Sequence, residues 1–135
     1  MNYTEENFIY ATGWCDPIAA VGGAQEVNIL ISSDAPFKAY YITLSVRQGA
    51  VGTEVLVANW AGDVNLNDSA PGKDLMNIPV AADALAGTGQ LPYNLSPPRI
   101  FAASTTLVVT FTSNVAARTE CSLAIHGSKL YNLRG

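Results

Sequence analysis

Two stretches near the C-terminal end alternate apolar and polar residues strictly, and this pattern restricts the fold more than any other feature of the chain. In residues 104–113, Leu107, Val109 and Phe111 fall on one side, with Thr106, Thr110 and Thr112 on the other. In residues 120–127, Cys121, Leu123 and Ile125 share a side opposite Glu120, Ser122, Ala124 and His126. A period of two means extended strand, because successive Cβ atoms point to opposite faces. One apolar and one wetter face per strand is the pattern of antiparallel sheets packed over a core. The pair, with a short closing strand before Leu133, predicts a core built on Leu107, Val109, Phe111, Cys121, Leu123 and Ile125.

The rest of the chain reads as more strands separated by turns. Residues 8–15 form a first strand stopped by Asp16-Pro17, since proline cannot donate to a ladder. Residues 26–32 carry Val27, Ile29 and Ile31 on one face. Residues 37–47 place Tyr40, Ile42, Leu44 and Val46 on one face, with Tyr41, Thr43, Ser45 and Arg47 opposite. Another strand is expected over 54–60. From Ala61 to Pro98 frequent glycine and proline mark loops, with short strands near 75–80 and 99–102 and a helical turn over 80–86. Roughly eight strands with irregular crossovers predict an all-β, two-sheet antiparallel sandwich of jelly-roll or Greek-key type. An immunoglobulin-type sandwich is the rival, but its two-cysteine pattern around a tryptophan is not in place.

At 135 residues the chain is expected to be one domain, 1–135, with a polar N-terminal arm over about residues 1–7. Charged residues make up only 13% and the formal net charge is −4. The seven basic residues are scattered, which argues against gripping nucleic acid, where clustered Lys and Arg must displace counterions. The acidic, polar start does not read as a signal peptide, and no apolar run approaches the ~20 residues of a membrane span. Synthesis in a cytoplasm, and no membrane partner, are therefore expected. In that setting Cys15 and Cys121 are not expected to form a disulfide; Cys121 reads as a small core residue and Cys15 carries no assigned role.

Candidate chemistry is sparse. His126 is the only histidine, and no G-x-S-x-G elbow accompanies it. The run 63–68 has Asp63, Asn65 and Asn67 where a calcium loop places ligands, but Asp68 stands where glycine belongs and Asp74 where a bidentate Glu is needed. It reads as a solvated Asx-rich turn. Gly22-Gly23 lacks the frame of a phosphate loop. No catalytic, cofactor or metal residues are assigned, and an enzyme is not expected. Aromatic side chains fill cores and interfaces more often than they stack ligands. The candidate interface residues are Tyr3, Phe8, Tyr10 and Trp14, on the arm and the first strand.

Residues 97–101 (P-P-R-I-F), the strand 107–113 and the L-A-I-H-G-S-K run of 123–129 resemble the C-terminal half of small capsid-associated proteins of tailed bacteriophages. The resemblance spans residues 91–135 and touches the first half only at Ser33-Asp-Ala-Pro-Phe37. It implies a jelly-roll cement or decoration protein on the capsid exterior of a virion. Its partners would be the major capsid protein and sister copies, as a homodimer or homotrimer. A phage tail or receptor-binding module, and a small carbohydrate-binding sandwich using Trp14 or Trp60, are the alternatives.

Overall fold

The chain folds into two antiparallel sheets packed face to face, described by a computed structural model over residues 3–57, 60–68, 80–81 and 93–132. Nine strands are described: β1 (Tyr3–Ala11), β2 (Ala24–Leu30), β3 (Phe37–Gln48), β4 (Val55–Leu56), β5 (Gly62–Asp68), β6 (Val80–Ala81), β7 (Tyr93–Phe101), β8 (Thr106–Ser113) and β9 (Thr119–Asn132). One sheet runs β1-β9-β3, with β7 and β4 on the far edge of β3; the other runs β2-β8-β5-β6. Leaving out the two-residue β4, the first, ninth, third and seventh strands face the second, eighth, fifth and sixth. That order is a jelly roll, the wrap expected when two Greek keys close over one core.

Alternation places the core as the sequence predicts. Leu107, Val109, Phe111, Cys121, Leu123 and Ile125 are all fully buried, joined by Ile31, Phe37, Val64 and Leu66. Each such aliphatic or aromatic side chain contributes about 1.5–3 kcal/mol by leaving water. Tyr10 extends the core edge-on against Phe37, with centroids 4.8 Å apart.

Several expectations are corrected. Strand β1 begins at Tyr3 rather than Phe8, pairing with β9 from Tyr3↔Asn132 to Ala11↔Ala124. Residues 3–7 are thus sheet and not a free arm, because the partner strand continues through residue 132 and offers backbone groups to these amides. The expected closing strand is the far half of β9. The run 63–68 is strand β5, not an Asx turn: Val64 and Leu66 are buried between the polar residues. Its alternation is real but was hidden by Asn and Asp, residues depleted from strands. Strand β7 starts at Tyr93 and carries Pro97-Pro98 on an outer strand of its sheet, where proline is tolerated. Val80 and Ala81 pair with β5 instead of opening a helical turn. The rest of that turn and the short strand expected over residues 75–79 lie outside the described residues.

Candidate functional site

The register between β3 and its neighbours shifts between Ala39 and Tyr41. A bulge inserts one unpaired residue and changes which face the next side chain takes. Ala39 and Ile42 are both buried, so the extra residue leaves Tyr40 and Tyr41 together outside the core, where strict alternation would have put Tyr40 inside. Gly127 on β9 makes this possible. A Cβ there would lie 2.0 Å from the Lys38 carbonyl oxygen and 2.9 Å from the Phe37 ring, so only glycine lets the bulged backbone approach so closely.

Around the bulge lies a shallow groove of about 550 Å³, lined by Asn7, Phe8 and Ile9 of β1, Tyr40 and Tyr41 of β3, and His126 and Gly127 of β9. The imidazole of His126 stacks on Tyr41, centroids 4.4 Å apart and planes 12° from parallel. Its Nε2 lies 3.0 Å from Thr43 Oγ1. Burial holds the His126 pKa below its ordinary value, so the ring is neutral at pH 7. The Tyr40 hydroxyl donates to Glu5 at 2.5 Å, bridging β3 to β1 across β9. Stacked rings, a neutral imidazole and an amide make a surface suited to packing and hydrogen bonding. Thr43 Oγ1 and His126 Nε2 form a hydroxyl–imidazole pair, the one such pair among these contacts.

Strand β1 forms the rim. Thr4 through Ile9 are all exposed. The Thr12 amide donates to the Leu123 carbonyl at 2.9 Å, which fixes the parity of the ladder. Even-numbered residues of β1 turn their backbone groups to β9, and Glu5, Asn7 and Ile9 turn theirs away from it. This edge is what sequence reasoning missed. Its signal was the apolar-polar mixture Asn7-Phe8-Ile9 beside a partner strand long enough to pair with it.

The expected interface residues divide. Phe8 is 37% and Trp14 39% exposed, whereas Tyr10 is only 8% exposed. Tyr10 is therefore corrected to a core residue; its hydroxyl accepts the Ser32 amide at 3.0 Å. Tyr3 pairs at the start of β1. Phe8 packs against Tyr10 and is capped by the Lys129 ammonium 4.2 Å from its centroid. Lys129 is in turn held 3.3 Å from Asp34, which also accepts from the Tyr131 hydroxyl at 2.9 Å. The Tyr131 bond, with Lys129 beside it, keeps the Asp34 carboxyl below its usual pKa. Trp14 carries the Arg47 guanidinium 4.2 Å from its ring, and Arg47 pairs with Glu120 at 3.2 Å. Trp60 is 5% exposed and its ring packs on Gly62, so it offers no stacking platform.

Asp63, Asn65 and Asn67 sit at alternate positions of an extended strand. That puts Asp63 and Asn67 about 13 Å apart along the strand, too far for the three to close around one cation. Among the described residues no three His, Cys, Asp or Glu side chains gather as metal ligands. The chain matches no protein-family model, and no curated protein and no solved structure matches it.

Proposed function

We propose that this protein is a structural component of a tailed-phage virion that binds the outside of the capsid and cements the shell. The observation that carries the reading is the exposed β1 edge beside the Tyr40–Tyr41–His126 groove: a docking surface with a backbone rail and an aromatic floor. Jelly rolls recur in viral capsid and lectin domains, though a fold alone never assigns function. The resemblance of residues 91–135 to capsid-associated proteins supplies the rest. The buried Trp60 and the Arg47-capped Trp14 count against the sugar-binding alternative.

The mechanism is mass action. A protein that binds only the assembled lattice stabilises it by RT ln(1 + [L]/Kd), about 2.7 kcal/mol per site at 100-fold excess over Kd. Repeated over many sites, modest affinity opposes the outward pressure of packaged DNA, and no catalytic residue is needed. An added strand on β1 supplies affinity through main-chain bonds from Glu5, Asn7 and Ile9, while the groove supplies selectivity. In the free protein, before a capsid strand takes its place, the same edge suits a homodimer before a homotrimer. With Asn7 on a two-fold axis, Glu5 falls opposite Ile9 and Glu6 opposite Phe8, so no carboxylates face each other.

Asn7→Pro tests the reading. It deletes an outward amide from an edge strand, where proline is compatible with the fold. The variant keeps its melting temperature, and its binding to empty expanded capsids drops at least tenfold, a loss of about 1.4 kcal/mol. Undiminished capsid binding would leave the β1 edge without a role.

A further inference from the structure

The segment that leaves β1 does not detach from β9; it follows it. The Thr12 amide bonds the Leu123 carbonyl, the Cys15 amide the Cys121 carbonyl at 2.8 Å, and the Ile18 amide the Thr119 carbonyl at 2.8 Å. Gly13, at φ +67°, adds one residue to this run, so pairs that sum to 135 at Thr12 sum to 136 at Cys15. Side chains there replace backbone acceptors. Thr12 Oγ1 accepts the Leu123 amide at 3.0 Å, and Cys15 Sγ accepts the Cys121 amide at 3.2 Å. The sulfur of Cys15 is thereby held over β9 at the position of Cys121. Both cysteines are free thiols, and both are buried.

We propose that Cys15 and Cys121 are an oxidative modification site: a dithiol in a reducing compartment that closes to a disulfide when the protein meets a disulfide oxidant. The Cα spacing is already that of a bridge. One 2.8 Å amide-to-carbonyl bond between the two residues holds their Cα atoms within about 6.7 Å by covalent dimensions. Bridged cysteines span about 4.4–6.8 Å. The Cys121 thiol hydrogen-bonds Cys15, and this bond together with the Cys121 amide lowers the Cys15 pKa to about 7, against the opposing effect of burial. Cys15 Sγ accepts the Cys121 amide and is the less deeply buried of the two cysteines, so Cys15 is the attacking thiolate and Cys121 the resolving thiol.

The step balances. The Cys15 thiolate attacks one sulfur of oxidised glutathione, forming a mixed disulfide and releasing one glutathione thiolate. The Cys121 sulfur, losing its proton to solvent, then attacks Cys15 Sγ and expels the second glutathione. Two protein thiols are oxidised and one glutathione disulfide is reduced to two thiols. The bridge closes a loop of 106 residues and ties the segment after β1 to the central strand of its sheet. It therefore restrains the unfolded chain far more than the folded one. This inference does not depend on the capsid reading: it requires only the two thiols and an oxidant.

The test is incubation of the full-length protein with oxidised glutathione about 10 °C below its melting temperature, where segment openings expose the buried pair. The expected product is a monomer lighter by two hydrogen atoms, with no thiol titrating after denaturation. Non-reducing peptide mapping joins the Cys15 peptide to the Cys121 peptide. Its melting temperature rises by about 5–15 °C and returns on treatment with dithiothreitol. Cys15→Ser loses the mass change and the thermal shift together. Persistence of both thiols at equilibrium, a stable glutathione adduct, or disulfide-linked dimers instead of the internal bridge would each overturn the proposal.

Discussion

Gly127→Ala probes the feature on which both fold and groove depend. Gly127 has no positive φ among those of the described glycines, so alanine there is not penalised by backbone conformation. The cost is contact. The new methyl would stand 2.0 Å from the Lys38 oxygen and 2.9 Å from the Lys38 carbonyl carbon, both backbone atoms that cannot rotate away. Relief requires β3 to move by about 1 Å or more away from β9 at the rung Ala39↔Gly127. Overpacking of this kind costs about 3 kcal/mol. With an unfolding entropy of about 2.1 cal/mol/K per residue, a 135-residue chain loses roughly 10 °C of melting temperature. Gly52→Ala is the control: φ is +85° and nothing lies within 4 Å of the added methyl, so only the left-handed conformation is charged. That costs roughly 1–2 kcal/mol, or about 4–7 °C. Scanning calorimetry of both variants decides. If Gly127→Ala melts no lower than Gly52→Ala, the close approach is not what fixes the bulge.

Two further outcomes follow from burial and charge. Val109→Asp or Leu123→Asp places a carboxylate among fully buried side chains, costing several kcal/mol against a total of about 5–15, so neither should accumulate as folded, soluble protein with the native melting temperature. Burial lowers the pKa of His126 in the folded state, so between the ordinary value and the folded one the unfolded chain binds more protons, and stability falls as pH drops below the ordinary imidazole value of about 6.5 toward the folded one. His126→Gln should flatten that slope in urea titrations. Asp34 and Glu54, whose folded pKa values are also lowered, withdraw their stabilisation only at lower pH, as it falls through the carboxylate range.

Where side chains alternate over a deep core, the sequence was a sufficient guide. β8 shows its period throughout and β9 does so from Cys121 to His126, and each apolar residue on the predicted face is fully buried. The reading failed where backbone geometry outweighs residue type. The bulge at Ala39–Tyr41 depends on Gly127, a glycine 86 positions away from Tyr41, and nothing local to β3 announces it. Strand β5 alternates as cleanly as β8, yet its polar positions are Asp and Asn, which ordinarily mark turns. β1 looked like a tail because Thr4-Glu-Glu-Asn7 lacks apolar residues. It is a strand because β9 extends past the core and pairs with it, a long-range bond that no local propensity encodes. The cysteine pair was illegible for the same reason: the two residues meet only through the ladder that carries the chain after β1 along β9.

The central place of β9 separates stability from binding. Its apolar positions Cys121, Leu123 and Ile125 face the core, and its odd-numbered amides and carbonyls hold β1 and the following segment. Its even-numbered backbone groups turn to β3: the Leu130 amide reaches the Pro36 carbonyl just before that strand begins, and the Gly49 amide just beyond its end bonds the Arg118 carbonyl. A change on the inner face of β9 therefore disturbs the core and can loosen both seams. The outer face is different. Asn7, Tyr41 and His126 meet there without entering the core; Asn7 is exposed, and substitution at an exposed position of that kind usually costs within ~0.5 kcal/mol of stability. The jelly roll thus fixes the position of the groove and rim while leaving their chemistry free to vary. A loss of capsid binding in an outer-face variant that keeps its melting temperature is, for that reason, evidence about the interface and not about the fold.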